Sequence, residues 1–338
     1  MTFTIAALTH PIVQAPMAAG PSTPALAAAV SEAGGLGFVA AGYRTPEQLD
    51  AEIKATRAAT DGPIGVNVFV PSPAPADPGA VARYAELIAP LAAAAGVELG
   101  VPRFDDDHYD AKLAVVRAER PAVVSFAFGC PTPATIDDLH AAAIAVWVTV
   151  TDEAEARRAV AAGADALVAQ GAEAGAHRGS FTDHDDVPLA LAELLPRVLA
   201  AGVPVVATGG LMDGAAIAAV LRAGAAAAQL GTAFLLCPEA GTSPVHRRAI
   251  VADGPTTLTR AFTGRRARGI ENRWTDRVGN TAPSAYPELH HLTAPLRAHG
   301  RAVADPDLVN LWAGTNHHLA RELPAAELVG TLVRELDS

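Results

Sequence analysis

One local phrase recurs along the whole chain: a short apolar run, a loop of small residues, a helix opened by a capping residue, and a glycine that stops it. After the apolar run at residues 12–14 come Ser22, Thr23 and Pro24, a cap and a first-turn proline, and the helix closes at Gly34 and Gly35. After 36–40, Thr45-Pro46-Glu47-Gln48 reads as a capping box with proline at the first helical position. Further apolar runs stand at 64–68, 123–126, 145–150, 166–169, 205–208 and 227–230. Thr132-Pro133, Asp152 with Glu155, and Asp213 open later helices, and Gly163 and Gly224 end two of them. Eight strand-and-helix phrases in order are what a closed parallel barrel needs, so the expected fold is α/β, a (β/α)8 TIM barrel.

Two stretches break the rhythm. Residues 70–110 carry Pro71, Pro73, Pro75 and Pro78, which predict an irregular insertion near the mouth, followed by an alanine-rich helix from about Val81. Residues 244–315 are too long for a simple loop and are expected to form a mostly helical lid or substrate domain. The barrel is then assigned to 1–243, and 316–338 to a C-terminal helix returning to it. Half of the 338 residues are hydrophobic, enough for one large core with an insertion.

Composition excludes several functions. A formal charge of −11 argues against a polyanion-binding surface, since phosphate contacts require clustered Lys and Arg, so nucleic acid is not an expected partner. Cys130 and Cys237 stand far apart without CxxC spacing, which suggests neither a disulfide scaffold nor a zinc site. His290-His291 and His317-His318 lack the i, i+4 spacing of a metal site, so no metal is expected. The N-terminal residues 1–14 lack a basic region and a long apolar stretch, predicting a cytoplasmic protein, and no apolar run is long enough for a membrane helix.

Chemistry concentrates in residues 170–180, Gln-Gly-Ala-Glu-Ala-Gly-Ala-His-Arg-Gly-Ser, directly after the sixth apolar run. The loop leaving a strand's C-terminal end is where α/β enzymes keep their reactive groups. Gly171, Gly175 and Gly179 permit close backbone approach to a ligand, and His177 can trade protons near neutral pH. The seventh and eighth strands end in Thr208-Gly209-Gly210 and Gln229-Leu230-Gly231-Thr232. Their free amides could cradle a phosphate, or the glycines could simply permit tight turns.

These pieces together resemble the nitronate monooxygenases, the FMN-dependent barrel family once called 2-nitropropane dioxygenases. The similarity rests on Pro11-Ile12-Val13-Gln14-Ala15-Pro16-Met17, Gly65-Val66-Asn67-Val68-Phe69, Ser125-Phe126-Ala127-Phe128-Gly129, 170–179, 207–210 and Gly231-Thr232-Ala233-Phe234. Tyr286-Pro287 and Leu292-Thr293-Ala294-Pro295-Leu296-Arg297 continue it in the lid. The resemblance implies FMN over the barrel mouth. Ala15, Pro16, Met17 and Asn67 would border the isoalloxazine ring, and Gln170, Gly171 and Gly175 the ribityl side. Gly209, Gly210, Gln229, Gly231 and Thr232 would belong to the phosphate end, with His177 as the active-site histidine. Tyr286 would close over the flavin and touch substrate, or only pack the lid. Two residues depart from the family pattern: Ala176 where glycine is common, and Thr315 where glutamine is frequent.

The implied reaction takes an alkyl nitronate such as propionate 3-nitronate and dioxygen to a carbonyl compound and nitrite, through one-electron transfer to flavin. His177 would favour the anion when protonated, or act as base toward a neutral nitroalkane. Two alternatives share the barrel: an NAD(P)H-using enoyl-thioester reductase and a non-catalytic flavin-binding protein. Arg265, Arg266, Arg268 and Arg273 form a basic cluster, expected to be a solvated or salt-bridged face, with attraction of an anionic substrate as the alternative. The expected assembly is a monomer or homodimer.

Overall fold

The computed structural model describes residues 2–279 and 281–336; Met1 of the expected N-terminal segment and the last two residues of the expected C-terminal one lie outside it. The first six strands are β1 (Ile12–Gln14), β2 (Gly37–Ala40), β3 (Ile64–Phe69), β4 (Val123–Ala127), β5 (Ala145–Val150) and β6 (Ala166–Gln170). A short strand β7 (Ala176–His177) lies apart, and β8 (Val205–Thr208) and β9 (Ala227–Leu230) are the barrel's seventh and eighth strands. All eight barrel strands pair in parallel in the order β1-β9-β8-β6-β5-β4-β3-β2. A parallel bridge from Val13 to Leu36 joins the two ends and closes the barrel.

Strand parity decides what fills the lumen, because alternate residues face opposite sides. Val123, Trp147, Val168, Val206 and Ala227 pack with Phe38 in one apolar cluster inside the barrel. The Phe38 ring sits 6.0 Å from Trp147 and occupies the space above Gly65, where a Cβ would come within 2.4 Å of it. Two residues further along the same strands, on the same face, stand Asn67, Ser125, Thr149, Gln170, Thr208 and Gln229. The lumen therefore turns from apolar to polar toward the C-terminal mouth. The intervening residues, such as Val66, Val124, Val146 and Leu167, face outward into the layer beneath the helices.

The helices begin where their caps dictate. Thr23 Oγ1 accepts from the Leu26 amide at the start of α1 (Pro24–Glu32), and Thr45 with Gln48 completes a reciprocal capping box on α2 (Pro46–Arg57). The insertion helix α3 (Pro78–Ala95) starts earlier than its alanine run suggests, since Asp77 accepts from the Gly79 and Ala80 amides and Pro78 fits the first turn. Next come α4 (Tyr109–Glu119), α5 (Pro133–Ala141), α6 (Glu153–Ala162), α7 (Leu191–Leu199) and α8 (Gly214–Arg222). Strand β9 runs into a single 3-10 turn, Thr232–Phe234.

Residues 244–315 are built mainly of helices, and they also hold a strand pair that the sequence did not announce. Besides α9 (Pro244–Val251), they hold an antiparallel hairpin of β10 (Thr256–Thr259) and β11 (Ala267–Ile270), then α10 (Arg273–Val278) and α11 (Glu288–Val303). The β-branched run Thr256-Thr257 and Thr259 suits a strand, and β11 takes β7 as its second partner. The cover shares its core with the other insertion. Trp274 of α10 lies 4.8 Å from Phe262 and donates to the Tyr84 hydroxyl of α3 at 3.3 Å, while Leu289, Leu292 and Leu296 of α11 pack in the same cluster as Val81 and Ile88. The final helix, α12 (Ala325–Leu336), packs against α8 and α1.

No helix among the described residues is long and apolar enough to cross a membrane. Gly37 is the tightest point of the barrel wall, because a Cβ there would meet the Ala27 carbonyl oxygen of α1 at 2.0 Å. Backbone cannot yield as a side chain can, so Gly37→Ala is expected to cost about 3 kcal/mol or more, read as a lowered midpoint in urea unfolding.

Candidate active site

The polar ring forms the floor of a cavity of about 230 Å³ at the barrel mouth. Ala15, Pro16, Met17, Asn67, Gln170, Gly175, His177, Gly209, Gly210, Gln229, Gly231 and Thr232 all line it. Gly171 does not. Its missing side chain makes room for Leu191 and the Glu173 carboxylate, which a Cβ would approach to 2.6 and 2.5 Å. Tyr286 lines a second cavity instead, with its ring centroid 5.9 Å from that of His177. Thr315 is exposed, its amide donating to the Glu173 carbonyl, whereas the next residue, Asn316, lines the cavity and donates from Nδ2 to the Gly210 carbonyl at 2.8 Å.

One end of the cavity is built from backbone. Gly209 and Gly210 take φ of 127° and 71°, a conformation that costs side-chain-bearing residues energy. Among the described residues, no acceptor takes the amide protons of Gly209, Gly210 or Gly231. Unpaired amides converging on one wall suit a phosphate, whose oxygens would satisfy them. The Asn67 Nδ2 is held by the Ser125 carbonyl and hydroxyl at 3.2 and 3.0 Å, which leaves its oxygen free toward the cavity. Gln170 acts as a clamp on the following loop: Nε2 donates to the His177 carbonyl at 3.0 Å, and Oε1 accepts from the Gly179 amide at 2.8 Å.

The other end centres on His177. Its Nε2 is 2.8 Å from Thr263 Oγ1, and the Thr263 hydroxyl lies 3.3 Å from the Arg265 carbonyl. With the hydroxyl proton directed at that carbonyl, Nε2 carries the ring proton and Nδ1 keeps a free lone pair. The imidazole is enclosed by Phe128, Tyr286 and Trp312, with ring centroids at 5.6, 5.9 and 5.7 Å. Burial pushes its pKa down to about 3, with the Arg265 and Arg297 charges adding to the effect. His177 is therefore neutral at neutral pH, with Nδ1 unprotonated.

The positive charge belongs to arginines. Arg297 is 4% exposed and lines the cavity; its Nε donates to Thr293 Oγ1 at 3.1 Å and Nη2 to the His290 carbonyl at 2.8 Å. Its Nη1 has no partner among the described residues, and no carboxylate pairs with it. Of the basic cluster, expected to be a solvated or salt-bridged face, Arg266 and Arg273 are salt-bridged while Arg265 turns inward. Arg265 is buried with its guanidinium 4.2 Å from the centre of the Phe128 ring; its Nε donates to the Arg178 carbonyl at 3.2 Å and its Nη2 to that of Ser180. Arg268 donates to the Ala172 carbonyl at 2.9 Å, Arg266 donates to that of His184 at 2.7 Å and pairs with the exposed Asp186 at 3.6 Å, and Arg273 pairs with Asp307.

Several wall residues escape sequence reasoning. Thr149 and Phe69 were within reach, since parity puts each two residues beyond a lumen-facing one. Tyr43 and Phe128 reach the cavity through left-handed backbone at φ of 65° and 73°, for which the sequence carries no signal. His290 and Arg297 share a face of α11, but which face turns inward depends on the cover's packing. No cluster of three or more His, Cys, Asp or Glu suited to a metal occurs among the described residues.

Comparison with known proteins gives a consistent result. The family model described as nitronate monooxygenase matches residues 2–335. A nitronate monooxygenase of Pseudomonas aeruginosa is 44% identical, with 97% of this chain and 96% of that protein covered. The solved structure of a nitroalkane oxidase from Streptomyces ansochromogenes is 50% identical, with a TM-score of 0.96 over 98% of this chain and 97% of that one. FabK from Thermotoga maritima is 27% identical, with a TM-score of 0.77 over 98% of this chain and 94% of its own.

Two measurements test the loop that carries the histidine. Ala176 holds φ of 62°, so Ala176→Gly should relieve about 1–2 kcal/mol of backbone strain and lose about half of that to unfolded-state entropy. A net gain is expected as a raised melting temperature; a lowered one would contradict the assigned strain. For His177 the folded value, about 3, lies below the model-compound 6.5, so the unfolded chain binds the extra proton. Stability is then full above about pH 6.5 and falls as pH drops toward 3. His177→Asn should make that acid loss less steep in urea titrations between pH 6.5 and 4, without abolishing it, since His246 and His290 are depressed as well.

Proposed function

The chain belongs to the nitronate monooxygenase family, and from that premise we propose that it binds FMN across the barrel mouth and oxidises alkyl nitronates with dioxygen to a carbonyl compound and nitrite. One observation carries the proposal. A single cavity joins a cradle of unpaired backbone amides to a neutral imidazole overlooked by a buried arginine that no carboxylate pairs.

The residues fit the roles that this reading needs. Gly209, Gly210 and Gly231 would donate amide protons to the FMN phosphate, with Thr232 and Gln229 beside them. Ala15, Pro16, Met17 and Asn67 would border the isoalloxazine ring, and Gly175 and Gln170 the ribityl side; Gly171 drops out because packing explains it. The bound flavin would supply a one-electron acceptor and a path for electrons to dioxygen.

The rest is the work of the protein. Arg297, with Nη1 free, would attract the nitronate to the His177 end, where the low-dielectric surroundings strengthen the attraction. A nitronate arrives already deprotonated and asks no base of the enzyme. A neutral nitroalkane must lose its α-proton first, and His177 Nδ1, with Nε2 steadied by Thr263, is placed to take it. Phe128, Tyr286 and Trp312 keep water from the same face.

Purified protein mixed aerobically with propionate 3-nitronate should release nitrite with oxygen uptake and no NADH consumption. NADH loss with a crotonyl thioester and no nitrite would overturn the proposal in favour of a reductase, and silence in both in favour of a binding protein. His177→Asn should lower kcat/KM for a neutral nitroalkane by about 10²–10⁴ and act far less on the preformed nitronate, with flavin still bound. An equal loss on both substrates would contradict the base role. Gly209→Ala, at φ of 127°, should reduce the flavin absorbance per chain.

A further inference from the structure

A second chamber of about 460 Å³ lies behind the cavity that holds His177. Tyr43, Phe69 and His290 line both chambers and so form the wall between them. The Tyr43 and His290 rings are stacked, 4.0 Å between centroids and 3° from parallel, and the Phe69 ring meets Tyr43 edge-on at 5.8 Å.

Both leaves of this wall are anchored by neighbouring groups. The Tyr43 amide donates to the Asp107 carboxylate at 3.2 Å, and Asp107 pairs with the fully buried Lys112 at 2.7 Å. The Tyr43 hydroxyl accepts from that of Tyr286 at 3.3 Å. On the other leaf, Arg297 Nη2 donates to the His290 carbonyl at 2.8 Å and meets its Nδ1 at 3.3 Å. Moving either ring aside breaks the stack and disturbs one of these anchors.

The arginines and His291 that line the outer chamber all have acidic partners, and Asp106 and Asp107 line it as well. His291 and Arg103 both pair with Asp105, at 2.7 and 3.2 Å, and Arg44 pairs with Glu52 at 2.8 Å. Val70, Pro71 and Pro287 supply apolar wall between these pairs.

We propose that the stacked Tyr43 and His290 rings determine specificity by limiting the length of the substrate tail, and that the outer chamber is the space a longer tail would enter once the wall is opened. The proposal rests on the function given above, since it places the reacting anion at the His177 and Arg297 end. A tail pointing away from that end then meets the two rings. Each additional methylene accommodated in apolar surroundings is worth roughly fourfold in affinity, so removal of the wall has a large measurable effect.

The test compares hexyl nitronate with ethyl nitronate in the flavin-loaded enzyme. The ratio of their kcat/KM values should rise at least tenfold in Tyr43→Ala and also in His290→Ala, which opens the wall from its other leaf. Tyr43→Phe, which keeps the ring, should retain the parent ratio. An unchanged ratio in both alanine variants, with ethyl nitronate still turned over, would overturn the proposal. Failure of the functional reading looks different: no nitrite from either nitronate with the unaltered enzyme. In that event hexanoate and propionate binding, followed by the fluorescence of Trp312 on the cavity wall, replaces turnover. Hexanoate should gain at least tenfold over propionate in the alanine variants, and equal affinities there would reject the wall.

Discussion

Two residues of backbone pairing hold the site together. His177 and Ala176 in β7 lie opposite Ala267 and Arg268 in β11, so the loop leaving the sixth barrel strand becomes the edge of the cover's sheet. The pairing continues in the Arg178 amide, which donates to the Arg266 carbonyl at 2.9 Å. The rest of the active-site geometry follows from this join. It brings Thr263 under the imidazole, sets Ala176 in left-handed backbone, and draws three arginines of the basic cluster onto carbonyl groups of the 170s and 180s. Those arginines join barrel to cover and present no solvated face.

That arrangement sets the sign of the local field. Arg265 and Arg297 are buried against carbonyls, hydroxyls and aromatic faces, so neither is neutralised by a carboxylate. A chain of net charge −11 thus encloses a cationic pocket. Total charge describes the outer surface, where exposed acids are screened by solvent, while an enclosed group responds to its nearest neighbours in a low dielectric. Burial, with the Arg265 and Arg297 charges adding to it, keeps the imidazole neutral.

The two interruptions of the barrel rhythm turn out to be one object. Helix α3 and the segment from α10 to α11 bury Tyr84, Trp274 and Leu292 in a common core, and the loop that follows α3 supplies Asp107 to anchor Tyr43. Each insertion alone looks like an irregular excursion, because neither can bury its apolar side chains without the other. Their mutual packing turns His290 and Arg297 toward the barrel mouth and encloses the space above the polar ring.

Caps, first-turn prolines and stop glycines are short-range signals, and where present they located the helices to within a residue or two: Thr45 with Gln48, Asp152 with Gly163, and Asp213 stand where they were expected, whereas α4 and α7, with no side-chain cap at His108 or Ala190, gave no such signal. The glycine pairs after the seventh and eighth strands and the histidine loop after the sixth were legible for the same reason, since a motif at a strand's C-terminal end must face the mouth. Gly171 lies against Leu191 and Glu173 and not on the cavity wall, and a glycine that admits a neighbour's side chain looks the same in sequence as one that admits a ligand. Sequence by itself determined the barrel, the position of His177 and the amide cradle, all consequences of local backbone preference and of period-two strand geometry. The tertiary structure alone decided the protonation state of His177, the free Nη1 of Arg297 and the Tyr43–His290 wall. Each of these depends on groups dozens to hundreds of residues apart in sequence, and burial and charge act through distance in space.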